Sequence, residues 1–228
     1  MAVINGDEGN NVLIGTRFDD EINGRRGEDT LFGRRGDDEL DGGFGDDELD
    51  GGRGNDTLLG DPGNDTLRGG LKDDFLLGGS GQDNLVGGRG DDILIGVNPS
   101  QQQPGQLERD TLTGGAGEDI FILGDTLNIY YDDSQARFIV APSPNEPPPS
   151  YALITDFEVG EDVIQLKGSI EYQLEDVDLA NDVSGLGIFF DADGFEGNGF
   201  EQLIGIIQSE QSLDGLQINV GRAITTVA

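Results

Sequence analysis

The 228-residue chain has no cysteine, no histidine and no tryptophan, a single methionine, and only 13 lysines and arginines. Without cysteine there is no disulfide framework and no thiolate zinc site. Without histidine the commonest general base is gone, and with it Ser-His-Asp triads and HExxH zinc centres. No run of about 18 apolar residues occurs, so no transmembrane helix is expected. The opening MAVINGDEGNN has neither a basic stretch nor an apolar one, and no Sec-type signal peptide is expected. Hydrophobic residues make up 34% of the chain, close to the composition of a disordered protein. Something beyond ordinary core burial has to help such a sequence fold.

Acid and glycine are plentiful. There are 46 acidic residues, a formal net charge of −33, and 39 glycines. Such a surface repels nucleic acid and anionic membranes and attracts cations. Neither a nucleic-acid partner nor membrane insertion is expected.

The glycines and acids are periodic. From Gly6 the chain reads in nines through Ile95: GDEGNNVLI, GTRFDDEIN, GRRGEDTLF and seven more units without a gap. Position 1 is always glycine. Position 4 is glycine except at Phe18 and Lys72, and position 6 is aspartate except at Asn11. Position 8 is leucine or isoleucine in every unit, from Leu13 to Leu94. Nine residues then break the pattern, GVNPSQQQP at 96–104. It resumes in phase as GQLERDTLT and GGAGEDIFI, which makes twelve units ending at Ile122.

Each unit divides into a six-residue turn and a three-residue strand. Glycine permits positive φ and close backbone approach in the turn. In the strand, position 8 points inward and positions 7 and 9 point outward. So short a strand buries nothing alone, so successive strands must wind into a coil of two facing parallel sheets. Units n and n+2 then stack about 4.8 Å apart. That register puts Asp38 over Asp56 and Asp47 over Asp65. Carboxylates about 5 Å apart repel by roughly 1 kcal/mol even in bulk water. A hard divalent cation reverses the sign. Calcium takes 6–8 oxygens from carboxylates and backbone carbonyls, and glycine-rich turns expose carbonyls. The carbonyls near Gly27, Gly33, Gly36, Gly42, Gly45, Gly51, Gly54, Gly60, Gly63, Gly78, Gly81, Gly87 and Gly90 are the candidates. Magnesium keeps its water and demands a stricter octahedron.

The consensus GGxGxDxUx resembles the RTX (hemolysin-type) calcium-binding repeat over roughly residues 6–122. The resemblance implies an all-β, right-handed parallel β-roll with several calcium ions between turns n and n+2. It assigns the metal-binding role of position 6 to Asp20, Asp29, Asp38, Asp47, Asp56, Asp65, Asp74, Asp83, Asp92, Asp110 and Asp119. Asn11 lacks the charge. Phe18, Lys72 and Glu108 depart from the position-4 glycine, and Lys72 adds a competing cation. The resemblance also implies secretion by the type I route, an extracellular or cell-surface location, and an extracellular or surface partner.

Residues 123–228 are read as a β-rich capping region associated with secretion. APSPNEPPPS at 141–150 is a loop that cannot join a central strand. YALITDFEVGEDVIQLKG at 151–168 resembles the segment xxxIxDFxxGxDxIxLxG that follows RTX arrays, and the whole arrangement resembles cyanobacterial members. LGIFFDADGFEGNGFEQLIGIIQ at 186–208 reads as a hairpin. Asp191, Asp193 and Gly194 hint at an EF-hand loop, but Gln202 stands where that loop needs glutamate. The last residues read as a final strand. Outward positions of the later even units (Phe75, Leu77, Ile93, Ile95, Ile120, Ile122) are apolar, and the expected contact is the C-terminal region folding back.

Three other classes fit less well. An RTX exoenzyme carries a separate catalytic domain, and here the repeats begin at residue 6, so no enzyme activity is expected. The alternative is a calcium-stabilised adhesive, ice-binding or surface-layer-type module, or a non-catalytic accessory region of an RTX exoprotein; an ice-binding or adhesive solenoid would show regular outward Thr and Asn ladders, whereas Val12, Glu21, Thr30 and Glu39 are mixed. A pore-forming toxin would need a long apolar segment.

Overall fold

A chain with one inward aliphatic residue in nine can build a continuous core only by stacking its units. The computed structural model describes residues 1–100, 108–123, 151–158, 161–166, 172–179, 183–191, 201–208, 217–220 and 223–226. The proline-rich loop, the end of the insertion and the turn carrying Asp193 and Gly194 lie outside the described residues. No helix occurs among the described residues, and none of them forms a span long and apolar enough to cross a membrane as a helix.

Thirteen strands carry the repeats: β1 (Val3–Asn5), β2 (Val12–Ile14), β3 (Glu21–Arg26), β4 (Thr30–Arg35), β5 (Glu39–Phe44), β6 (Glu48–Arg53), β7 (Thr57–Pro62), β8 (Thr66–Leu71), β9 (Phe75–Ser80), β10 (Asn84–Arg89), β11 (Ile93–Val97), β12 (Arg109–Ala116) and β13 (Ile120–Ile122). Odd strands form one parallel sheet and even strands a second. The register is eighteen residues per turn, as Leu40↔Leu58 and Leu49↔Leu67 show. This is the parallel β-roll the repeat implies. The strands are longer than the three residues expected, because positions 1–3 of the next unit continue the ladder. Arg26 and Phe44, for example, are still paired.

The inward column is fully buried from Ile22 through Leu94 and on to Leu112 and Phe121. Ile4 and Leu13, at the N-terminal end, are only partly buried. The insertion leaves the register intact: Leu85 pairs with Leu112, twenty-seven residues on, which is one turn plus nine residues. The strand after the insertion re-enters with position 8 still pointing inward, since a slip of one residue in the pairing would turn every side chain over.

Both sheets continue past Ile122. Strand β14 (Tyr151–Ile154) adds to β12, and β15 (Val163–Leu166) adds to β13. Phe157, buried between them, lies 6.2 Å from Phe121 in a tilted ring contact. Strands β16 (Tyr172–Leu179), β17 (Val183–Asp191) and β18 (Glu201–Ile207) join the even sheet, β18 pairing parallel to β14. The expected hairpin is the antiparallel pair β17–β18. Strands β19 (Gln217–Val220) and β20 (Ala223–Thr226) end the odd sheet. The described C-terminal strands thus lengthen the two sheets along the roll axis and do not lie over the outer face as expected. An open sheet edge offers them a row of unpaired backbone groups, which a side-chain face lacks. Residues 124–150, which would have to reach that face, lie outside the described set.

Candidate metal centre

Position 6 is where the chain turns from loop into strand, so its side chain points into the narrow edge of the roll. The structure buries Asp20, Asp29, Asp38, Asp47, Asp56, Asp65, Asp74, Asp83, Asp92, Asp110 and Asp119 there, all 3% exposed or less. Ionised carboxylates are almost never so deeply buried without a partner.

Half of each partner is the neighbouring turn. The backbone N–H of Asp38 donates to Oδ1 of Asp56 at 2.8 Å, and that of Asp47 to Oδ1 of Asp65 at 2.7 Å. The ladder runs from Ala2 N–H on Asp20 to Asp92 N–H on Asp119. The aspartates are therefore stacked as expected, but each Oδ1 already accepts a backbone hydrogen bond, so bare repulsion is not the whole of their interaction.

The other oxygen has nothing. Oδ2 of Asp29, Asp38, Asp47, Asp56, Asp65, Asp74, Asp83, Asp92 and Asp119 is buried with no hydrogen-bond partner. Burial pushes Asp38, Asp47, Asp56 and Asp92 up to about 6, and Asp65, Asp74 and Asp119 up to about 7, neighbouring carboxylates adding to the effect. Asp83, facing Asp110, is pushed to about 9. Each group asks for a proton or a cation.

Asp20 differs. Both its oxygens are engaged, Oδ1 by Ala2 N–H and Oδ2 by Thr16 N–H at 2.6 Å. Burial raises its pKa, but the hydrogen bonds from Thr16 and Ala2 outweigh burial and leave it below the usual value. The eleven aspartates are thus not equivalent. The first turn closes its own carboxylate because its position-2 N–H is turned inward.

Position-1 glycines make room for a ligand. A methyl group on Gly33 would lie 2.6 Å from both Asp38 Oδ2 and the Gly51 carbonyl. On Gly24 it would lie 2.5 Å from Asp29 Oδ2 and the Gly42 carbonyl. The orphaned carboxylate oxygen of turn n and a carbonyl oxygen of turn n+2 thus flank one open cradle. The carbonyls of Gly69, Gly78, Gly96 and Gly114 occupy the same place beside Asp56, Asp65, Asp83 and Asp92. At Gly42 and Gly69 the nearest atoms all belong to the facing aspartates, Asp47 and Asp74. The position-4 carbonyls of Gly27, Gly36, Gly45, Gly63 and Gly90 stack along the outer turn instead, against the position-4 glycine of the next turn. Gly45 shows why that residue must lack a side chain: its φ is +133°, and a methyl group would run into the Gly27 carbonyl. No three acidic side chains converge on one point among the described residues, so a metal here would take much of its coordination from backbone oxygen. Donors that are all oxygen, carboxylate and carbonyl mixed, fit calcium.

Two carboxylates outside the repeat join the ladder. Asp162, 4% exposed, accepts from Asp119 N–H at 3.0 Å through Oδ1 and from Glu158 N–H at 2.7 Å through Oδ2. Burial pushes it up to about 6. Asp156 accepts from Gly114 and Gly115 N–H at 2.9 and 2.8 Å. The sequence carried the signal for Asp162: Gly160, Asp162 and Ile164 keep the 4-6-8 spacing of a repeat unit. At position 5 a second, exposed ladder runs the opposite way, Asp37 N–H donating to Asp19 and Asn55 N–H to Asp37.

Two facing parallel sheets whose edges hold stacked, half-satisfied aspartates and glycine-lined cradles define a metal-binding β-roll. A family model of the RTX calcium-binding nonapeptide repeat matches the chain four times, at residues 5–40, 24–58, 59–94 and 105–126. Through these repeats the chain belongs to the RTX calcium-binding repeat family, and their described strands form a calcium-binding β-roll module. No curated protein matches the chain.

Proposed function

We propose that the chain is an exported module whose roll folds as calcium binds, with no catalytic role. The observation that carries this reading is the set of nine buried carboxylate oxygens with no partner. Asp29, Asp38, Asp47, Asp56, Asp65, Asp74, Asp83, Asp92 and Asp119 would hold the ions, together with carbonyls such as those of Gly42, Gly51 and Gly78. Calcium would supply there the positive charge that the stacked turns lack. Binding energy then becomes folding energy. Extracellular calcium modules bind at about 10⁻⁴–10⁻³ M, so the chain would stay unfolded inside the cell and fold after export by the type I route.

The test is circular dichroism on metal-free protein titrated with calcium, with magnesium as control. β-Structure is expected to appear cooperatively with calcium and not at equal magnesium. A full β signal in excess EGTA would refute the reading. Export is tested separately by co-expression with a type I apparatus: the chain should reach the medium, and retention in the cells would count against that part alone.

A further inference from the structure

Lys72 stands where the turn needs glycine. Position 4 is Gly27, Gly36, Gly45, Gly54, Gly81, Gly90 and Gly117 in seven other units, all with φ between +117° and +150°, and Gly9, Phe18, Gly63 and Glu108 in the remaining four. Lys72 holds the same place with φ +80°, a conformation that a Cβ disfavours. Backbone strain of this kind persists where something else favours the residue.

What favours it lies two turns back on the same edge. The Lys72 ammonium is 3.5 Å from Asp37 Oδ1, across thirty-five residues of sequence. To get there the side chain crosses the intervening turn, Gly54 to Asp56. At position 5 this edge carries Asp19, Asp37, Asp73, Asp91 and Glu118, but Asn55 in the turn that is crossed. The acid is missing where the lysine passes.

We propose that Lys72 is a resident cation of this edge: it competes with calcium at the turn of Asp56 and partly takes its place when calcium is absent. This rests on the calcium reading above. A divalent ion held within a turn of a surface ammonium is disfavoured by a factor of about ten at moderate ionic strength.

The experiment compares the full chain with K72M, K72Q and K72R, all of which keep the Cβ and hence the same backbone strain. Bound calcium per chain is measured by equilibrium dialysis at a free concentration that just saturates the wild type. K72M and K72Q are expected to bind about one further ion, and K72R none. In calcium-free buffer at pH 5, where protonation of the buried carboxylates is expected to fold the roll, the two neutral variants should show less β signal than the wild type. Equal calcium counts in wild type, K72M and K72Q would overturn the proposal. If no form binds calcium, it is the underlying calcium reading that fails.

Discussion

Acidifying the metal-free chain should fold it. The carboxylates of Asp38, Asp47, Asp56, Asp65, Asp74, Asp83, Asp92 and Asp119 titrate in the folded roll at about 6 or above, against 3.8 for an ordinary aspartate. Between about pH 4 and pH 7 the folded state therefore binds more protons than the unfolded one, and stability falls as pH rises. Two pH units correspond to about 3 kcal/mol per group at neutral pH. Even a third of the sum over eight groups, roughly 8 kcal/mol, equals the whole net stability of an ordinary domain. The assay is far-ultraviolet circular dichroism in chelator-treated buffer from pH 8 down to pH 5, which stays above the isoelectric point near 4.1. β-Signal should grow on acidification. Asp65→Asn, which removes one buried charge, should move the transition to higher pH, while Glu21→Gln, on the exposed outer face, should not. A β signal that is flat across the window, or that falls with acid, would show that the buried carboxylates do not control folding.

Asp20→Asn should leave calcium stoichiometry and affinity nearly unchanged, because Thr16 and Ala2 already satisfy that carboxylate, whereas Asp65→Asn should weaken calcium binding measurably by calorimetry. Gly33→Ala places a methyl group 2.6 Å from Asp38 Oδ2 and the Gly51 carbonyl; calcium-loaded melts should show a loss of at least about 2 kcal/mol, the size of an overpacked site. Asp156→Ala leaves two glycine N–H groups without their acceptor and should lower stability by about 2–3 kcal/mol in urea unfolding with saturating calcium.

The roll was legible because its determinants are local and repeat. Glycine at 1 and 4, aspartate at 6 and an aliphatic residue at 8 fix the turn, the buried acid and the core. Ten repetitions leave one register open, and the in-phase return at Gly105 was readable across the insertion. What the repeat could not give was the difference between turns. Asp20 and Asp65 occupy the same slot in near-identical units, yet only Asp65 has an orphaned oxygen, because only the first turns lack a preceding rung to claim the position-2 N–H. Residues 151–154 pair as a further rung across forty-two residues, with residues 163–166 following on the other sheet; the 4-6-8 spacing of Gly160, Asp162 and Ile164 hints at that rung, but not at which strands it joins. The carbonyls of Gly69, Gly96 and Gly114 were not among the candidates, although they stand in the same place as those of Gly42, Gly51 and Gly78.

The two ends of the ladder share a feature the middle lacks. Asp20 near the start and Asp162 past the last repeat each use Oδ2 to accept a backbone N–H four residues earlier, from Thr16 and Glu158. Asn11, at the outermost turn, does the same with Asp7 N–H. The turns of Asn11 and Asp20 have no repeat turn stacked before them, so each loop is free to curl onto its own side chain; the Asp162 turn does the same although β15 is flanked by β13 and β19. An internal turn is held between two neighbours, its position-2 N–H is committed to the ladder, and its carboxylate is left half-paired. The demand for cations thus grows with every rung inserted between the ends. Lengthening the array by a pair of consensus units should raise the calcium bound per chain while leaving the end turns unchanged. A roll lengthened in this way that bound no additional calcium would mean that the orphaned oxygens are not metal ligands.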